Sequence, residues 1–225
     1  MAFLSKCEKD FGEKTGSFTR KSLDKARKEN FRRVNQKMRK QIYLALVHYP
    51  VYNKRRDVVC TSVTNFDIHD ISRTCSTYDI KGYRLVVPVD AQKKLTERIL
   101  GYWQEGFGGN YNKDREEAFV RTRVAESIEE VIAEIEKIEG KKPKIVTTSA
   151  RHFPNTVSFA NLQEKLFETE NQPYLLLFGT GWGLTDEVMA MSDYILEPIR
   201  ANSKYNHLSV RAAVAIIVDR LLGEN

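Results

Sequence analysis

The stretch at residues 173–184, PYLLLFGTGWGL, decides the predicted fold. Residues 174–178 form a short apolar run typical of a buried strand, and Gly179, Gly181 and Gly183 follow at alternate positions. Glycine lets a backbone approach a ligand closely, and ligands of α/β sheets bind at the carboxyl ends of the strands. We therefore expect the ligand site at this bend.

Outward from this stretch, strand-like and helix-like segments alternate about six times. Short crossovers of this kind predict an α/β fold with a mostly parallel sheet and helices on both faces. Thr148, Gly179 and Ile199 follow predicted strands, so we expect them at one edge of the sheet. Residues 118–124 are predicted as a strand. The glycine- and aromatic-rich residues 101–112 are interpreted either as a lid or base-stacking surface, or as an ordinary flexible loop.

Charge divides the chain into two predicted parts. Residues 1–40 hold 13 Lys/Arg against 5 Asp/Glu, a net charge of +8, whereas residues 41–225 hold 23 against 25, a net charge of −2. Residues 22–40 have the pattern of a basic amphipathic helix. The predicted domains are thus a basic, partly helical extension at 1–40 and a nearly neutral domain at 41–225. The extension is interpreted either as an arm that follows a phosphate backbone or as a solvated lysine-rich helix.

Composition and motifs exclude several classes of protein. No apolar run approaches the ~18–20 residues of a membrane span. Charged residues begin at Lys6 and leave no room for a secretory signal, so we expect a cytoplasmic protein. Leu184 stands where the dinucleotide fingerprint needs its third glycine, and neither a P-loop nor a G-x-S-x-G elbow occurs. The histidines and cysteines lack zinc-ligand spacing, so no metal site is predicted.

Three separated motifs resemble those of the SPOUT class of RNA methyltransferases, in the same order and with similar spacing. The first has Asn65 followed eight positions later by Arg73, the second is an apolar strand ending at Gly179, and the third has Ile199 and then Leu208. The resemblance covers about residues 41–223 and is greatest to a bacterial subgroup found alone or fused to a tRNA guanine methyltransferase.

The resemblance implies a trefoil-knotted α/β domain that binds S-adenosylmethionine and methylates a nucleotide of tRNA or rRNA as a homodimer. It implies catalytic roles for Asn65 and Arg73. Arg73 would contact RNA phosphate or ease ionisation of the methyl acceptor. It also implies cofactor contacts around the last two motifs and the neighbouring strand end, from Thr148, Phe178, Gly179, Thr180, Gly183, Ile199, Leu208 and Ser209.

Some assignments stay open from the sequence. Arg73 is alternatively a surface partner of a neighbouring helix residue, Asn65 a helix cap, and Trp182 a core residue instead of a cover for adenosine or a contact to RNA. Asn206 and His207 are candidate caps of the last helix. The motif-two glutamate frequent in the class is absent, which leaves ribose or base methylation open. The alternative functions are a non-catalytic RNA-binding member of the same fold and an α/β enzyme acting on a small nucleotide.

Overall fold

The computed structural model describes residues 41–168, 171–201, 203 and 205–223. The basic extension at residues 1–40, with its predicted helix at 22–40, lies outside the described residues. None of the described helices is long and apolar enough to cross a membrane.

Strands and helices alternate through the described part of the chain. The strands are β1 (Ile42–Val47), β2 (Val51–Tyr52), β3 (Val58–Val59), β4 (Gly82–Val86), β5 (Thr122–Ala125), β6 (Lys144–Thr147), β7 (Thr156–Val157), β8 (Tyr174–Gly179) and β9 (Tyr194–Leu196). The helices are α1 (Asn65–Thr77), α2 (Asp90–Gln104), α3 (Phe107–Tyr111), α4 (Lys113–Phe119), α5 (Ile128–Glu139), α6 (Phe159–Glu168), α7 (Asp186–Ala190) and α8 (Val210–Leu222).

Seven of these strands form one parallel sheet in the order β5-β4-β1-β8-β6-β9-β7. Strand β1 lies inside it, and Val47 pairs with Val86 of β4 on one side and with Gly179 of β8 on the other. The chain therefore places β4 and β5 on one side of β1 and β6 to β9 on the other. A reversal of strand order of this kind opens a crevice beyond the carboxyl ends of the strands, where α/β sheets bind their ligands.

Helices cover both faces of the sheet, as the sequence predicted. Alternate residues of β1 point to opposite faces because a strand has a period of two. Ile42, Leu44 and Leu46 belong to a core cluster that includes residues of α1, α2, α4, α6 and α8. Tyr43, Ala45 and Val47 belong to a second cluster with α5 and α7.

The structure differs from the sequence prediction between residues 101 and 124. The predicted strand at 118–124 is wrong in its first part, because α4 continues to Phe119 and β5 begins at Thr122. Asn112 caps α4 by accepting a hydrogen bond from the Arg115 amide, and the helix that starts there includes the first two residues of the predicted strand.

Residues 101–112 form the end of α2 and all of α3, so the prediction of a flexible loop is also wrong. The glycines here permit close helix packing, since a Cβ at Gly109 would collide with the carbonyl oxygen of Trp103. The predicted exposure of aromatic side chains is correct for Phe107 and Tyr111, which are 72% and 82% exposed. Their rings stack with centroids 6.2 Å apart.

Two capped helices frame the crevice. Thr64, and neither Asn65 nor Asp67, is the N-cap of α1, and the Asp67 carboxylate completes a capping box with it. Ser209 caps α8 by accepting from the Ala212 amide, so neither of the predicted caps, Asn206 or His207, fills this position.

An arginine joins these two helices near their amino ends. Arg211 Nη1 donates to Asp70 at 2.8 Å, its Nε lies 3.7 Å from Asp67, and its guanidinium lies 5.1 Å from the centre of the Phe66 ring. The ion pair and the cation–π contact fix the start of α8 against the start of α1.

Candidate active site

A cavity of about 650 Å³ lies at the carboxyl edge of the sheet, beyond β1, β6 and β8. This volume is within the ~300–1,000 Å³ typical of small-molecule and cofactor sites. Its walls are the loop before α1, the turn after β6, the glycine turn after β8 and the segment that leads into α8. The site therefore lies where the strand order reverses.

All eight residues to which the resemblance gave cofactor contacts line this one cavity. They come from the ends of two neighbouring strands, β6 and β8, from the turn that follows β9 and from the start of α8. The eight are Thr148, Phe178, Gly179, Thr180, Gly183, Ile199, Leu208 and Ser209. Their convergence supports a single site, while their binding of a cofactor stays a prediction.

The glycine turn after β8 is a cradle that larger residues would fill. A Cβ on Gly179 would lie 2.7 Å from the Leu184 amide nitrogen, and one on Gly181, whose φ is +57°, would lie 2.9 Å from the Tyr52 carbonyl oxygen. That same carbonyl accepts a hydrogen bond of 2.8 Å from the Trp182 amide. The turn is thus held close to β2, and its amides at Thr180, Trp182 and Gly183 are paired within the protein. What it offers a ligand is close approach to a backbone without side chains at its glycines, which suits a flat adenosine group.

Trp182 lines the cavity and is 60% exposed, so its interpretation as a core residue is wrong. Its indole ring lies at the mouth, where a flat apolar face is available to cover a ligand or to stack on a base.

The two residues predicted to be catalytic lie outside the cavity wall. Asn65 is the exposed first residue of α1, next to Thr64, which lines the cavity. Arg73 is exposed on the same helix, six residues beyond the cavity-lining Asp67, or ~9 Å along the axis. Asp70 pairs with Arg211 and His69 contacts Arg115, so among the described residues the surface pair given as the alternative role of Arg73 does not form.

Sequence reasoning missed His48, which follows β1 and lines the cavity. The side chain is fully buried, Nδ1 lies 3.0 Å from Thr61 Oγ1, and Nε2 has no partner within the described part of the chain. Burial lowers the pKa of His48 to about 4, with an opposing effect of the Asp67 carboxylate. The available signal was a polar residue at the carboxyl end of a fully buried strand.

Two charged side chains of opposite sign also line the cavity. Asp67 is buried and accepts from the Thr64 hydroxyl at 2.6 Å. Arg151 donates to the Leu184 carbonyl at 3.4 Å, and its guanidinium lies 5.5 Å from the Phe153 ring centre. Over the described ranges, no group of three or more His, Cys, Asp or Glu side chains is placed to hold a metal ion.

Comparison with known families decides between the functions that the cavity allows. The family model described as SAM-dependent RNA methyltransferase matches residues 41–223. The chain belongs to this family. S-adenosylmethionine as cofactor and RNA as methyl acceptor are therefore confirmed for the methyltransferase, in preference to an enzyme acting on a small nucleotide.

Two relatives each align with 82% of the chain. The methyltransferase is 42% identical over 184 residues to an uncharacterized protein of Aquifex aeolicus, with 82% of this chain and 89% of the relative aligned. It is 44% identical over 185 residues to a tRNA (guanine-N(1)-)-methyltransferase of Oleidesulfovibrio alaskensis, but this match spans only 43% of that protein. The second relative therefore carries a long part that the alignment does not reach.

The fold of the methyltransferase is that of SpoU-type enzymes. The crystal structure of the A. aeolicus TrmH/SpoU tRNA modifying enzyme superposes with a TM-score of 0.51, covering 87% of this chain and 82% of that one. At 14% sequence identity, this likeness concerns the fold alone.

Proposed function

We propose that the cavity at the carboxyl edge of the sheet binds S-adenosylmethionine and that the chain methylates a nucleotide of tRNA or rRNA there. The observation that carries the proposal is the convergence of all eight residues given by the class motifs on one cavity. The volume, the backbone cradle at Gly179–Gly183 and the apolar walls suit an adenosine with an extended side chain.

The bound cofactor supplies an electrophilic methyl group on a sulfonium, which an acceptor oxygen or nitrogen takes by in-line displacement without a covalent enzyme intermediate. The protein has to orient the two reactants and to help the acceptor lose its proton. The turn 179–183 and the residues around Ile199 and Leu208 would hold the donor. Trp182, at the mouth, would exclude water and stack on the incoming nucleotide.

Arg73 is proposed to contact RNA phosphate. Its exposure, its freedom from an ion pair within the described chain and its distance along α1 from the cavity favour this over direct contact with the reacting atoms. Asn65 is proposed to act beside it, at the rim of the cavity. Arg151, inside the wall, is the cation better placed to meet a nucleotide that enters the site.

The basic extension at residues 1–40 is proposed to add affinity for RNA through phosphate contacts, since its net charge of +8 contrasts with the nearly neutral domain. We also propose a cytoplasmic homodimer with a trefoil knot, as the resemblance implies. Exposed apolar side chains support a contact with a second subunit at the start of α1 and in the segment before α8. They are Phe66, Tyr205 and Leu208. Light scattering of the purified protein tests the dimer.

Which RNA is methylated follows from one experiment with matched strains. Nucleosides of tRNA and rRNA from a strain that carries the gene and from a strain that lacks it are compared by mass spectrometry. Loss of one methylated nucleoside in the strain lacking the gene identifies both the acceptor and the methylated atom. The match to the O. alaskensis tRNA (guanine-N(1)-)-methyltransferase spans only 43% of that protein, so this experiment and not the relative identifies the methylated nucleotide.

Calorimetry with S-adenosylmethionine tests the site itself. Saturable binding is expected in the full chain, and absence of binding at millimolar concentration would remove the basis of the proposal. Methyl incorporation into bulk RNA then separates an active enzyme from a non-catalytic RNA-binding member of the fold.

A further inference from the structure

The environment of His48 defines which of its ring nitrogens carries the proton. Three contacts form a chain: Thr180 Oγ1 lies 3.0 Å from the Val47 carbonyl oxygen, Thr61 Oγ1 lies 2.5 Å from Thr180 Oγ1, and His48 Nδ1 lies 3.0 Å from Thr61 Oγ1. A carbonyl only accepts, so the Thr180 hydroxyl donates to Val47. Each hydroxyl has one proton to donate. Thr61 therefore donates to Thr180 and accepts from His48.

This direction leaves one tautomer of the imidazole. Nδ1 is the donor to Thr61, so in the neutral ring Nε2 is the unprotonated acceptor. Burial holds the pKa of His48 at about 4, which keeps the ring neutral near pH 7. Asp67 is the carboxylate whose charge acts on the ring; it is bound by the Thr64 hydroxyl and lies 3.7 Å from Arg211 Nε.

The acceptor at Nε2 has no donor among the described residues, although the side chain is fully buried. A buried polar atom without a partner costs about 1–3 kcal/mol, and His48 is one of the residues that line the cavity. Thr180 links the same chain to the glycine turn, so that the histidine and the cradle are fixed relative to each other.

We propose that His48 is a ligand-binding residue of the methylation site, with Nε2 accepting a hydrogen bond from an N–H or O–H group of the ligand in the cavity. The inference rests on the proposed function. Two sources of that group exist, the methyl donor and the methyl-accepting nucleotide, and they offer the same chemistry to Nε2. Such a hydrogen bond would make the site selective for ligands that carry a donor at this point, because any other ligand leaves Nε2 unpaired.

Two substitutions separate the two nitrogens. In His48→Asn, the amide nitrogen is near the place of Nδ1 and keeps the donation to Thr61, while the acceptor at Nε2 is lost. In His48→Gln, the amide oxygen reaches the place of Nε2, while the contact with Thr61 is lost. A purely structural histidine predicts that Asn is tolerated and Gln is harmful, and the proposal predicts the reverse order.

The substitutions are measured in the full chain by calorimetry with S-adenosylmethionine and by single-turnover methylation of bulk tRNA and rRNA from cells lacking the gene, at saturating cofactor. His48→Asn is expected to lose about tenfold and His48→Gln to stay within about threefold of wild type. A loss of cofactor affinity assigns the hydrogen bond to the methyl donor. A loss of transfer at unchanged cofactor affinity assigns it to the nucleotide.

Wild-type values for His48→Asn in both assays would overturn the inference, and so would a greater loss in His48→Gln than in His48→Asn. NMR of the imidazole nitrogens in the wild-type protein gives a reading that needs no variant. Nε2 is expected to be unprotonated at neutral pH and to shift on addition of ligand, and a protonated Nε2 would overturn the proposal. Failure of the wild-type protein to bind S-adenosylmethionine would instead refute the proposed function.

Discussion

Substitution of Gly179 tests whether the cradle after β8 is the cofactor site. In Gly179→Ala the new Cβ would lie 2.7 Å from the Leu184 nitrogen and 3.1 Å from the Gly183 carbonyl carbon. Both neighbours are backbone atoms, so the turn itself has to move by several tenths of an ångström. Overpacking of this kind costs about 1–3 kcal/mol. At ~2–4 °C per kcal/mol for a chain of this size, Tm is expected to fall by about 2–12 °C.

A loss of function is expected beside the loss of stability. The turn 179–183 forms one wall of the cavity, so a shift of its backbone moves groups that would hold the cofactor, and cofactor affinity is expected to fall about tenfold or more. Calorimetry with S-adenosylmethionine at a temperature well below the lowered Tm separates the two effects.

A matched control is available at Gly101, which lies exposed inside α2 with nothing within 4 Å of its added Cβ. The same chemical change is expected to stabilise the protein there by about 0.5–1 kcal/mol, because alanine has the higher helix propensity. Cofactor binding should be unchanged. If Gly179→Ala bound cofactor as tightly as Gly101→Ala and had the same Tm, the cradle would not be the cofactor site.

Three further changes address RNA contact and stability. Arg73→Ala is expected to keep cofactor binding and to lose methyl transfer, and unchanged transfer in a filter assay would make Arg73 a plain surface residue. Deletion of residues 1–40 should weaken RNA affinity and flatten its salt dependence, whereas an equal slope of log K against log salt would exclude a phosphate-binding arm. Glu134→Ala should cost about 3 kcal/mol in urea unfolding, since it leaves the buried Arg84 without its two hydrogen bonds of 2.7 Å. These hydrogen bonds hold the pKa of Glu134 below its usual 4.5. The pair should therefore contribute fully to the free energy of unfolding of the wild type above pH 4.5, and this contribution should be lost as the pH falls through the lowered pKa. The variant should not show this loss.

Local patterns were sufficient to predict much of the sheet. The run at residues 174–178 and the glycines after it depend only on neighbours in sequence, and the structure has β8 and its turn there. The strand predicted at 118–124 began too early because α4, which starts after the Asn112 cap, continues through Ala118 and Phe119. The flexible loop at 101–112 failed because its glycines serve contact between helices, which composition does not reveal.

The candidate site was partly predictable for a related reason. Motif residues next to strand ends were identified because their positions follow from the order of elements. His48 was missed because its meaning depends on Thr61 and Thr180, which are 119 positions apart in the chain and meet only in the folded sheet. The tautomer of His48 is set by the hydrogen bonds that these two threonines form in the folded protein, and no spacing in the sequence predicts it.

The position of β8 between β1 and β6 has a consequence for the order in which the protein acquires its activity. During synthesis β1, β4 and β5 emerge first and can pair, but one edge of β1 has no partner until residues 174–179 leave the ribosome. The cavity needs a still later segment, since its wall includes Ile217 of α8. The cavity is therefore incomplete until α8 is made, and on the proposed function a bound cofactor would contact both the end of β1 and α8. Ligand at 100 times its Kd adds about 2.7 kcal/mol to the finished fold, so the cell's methyl donor would itself favour chains that have completed this insertion.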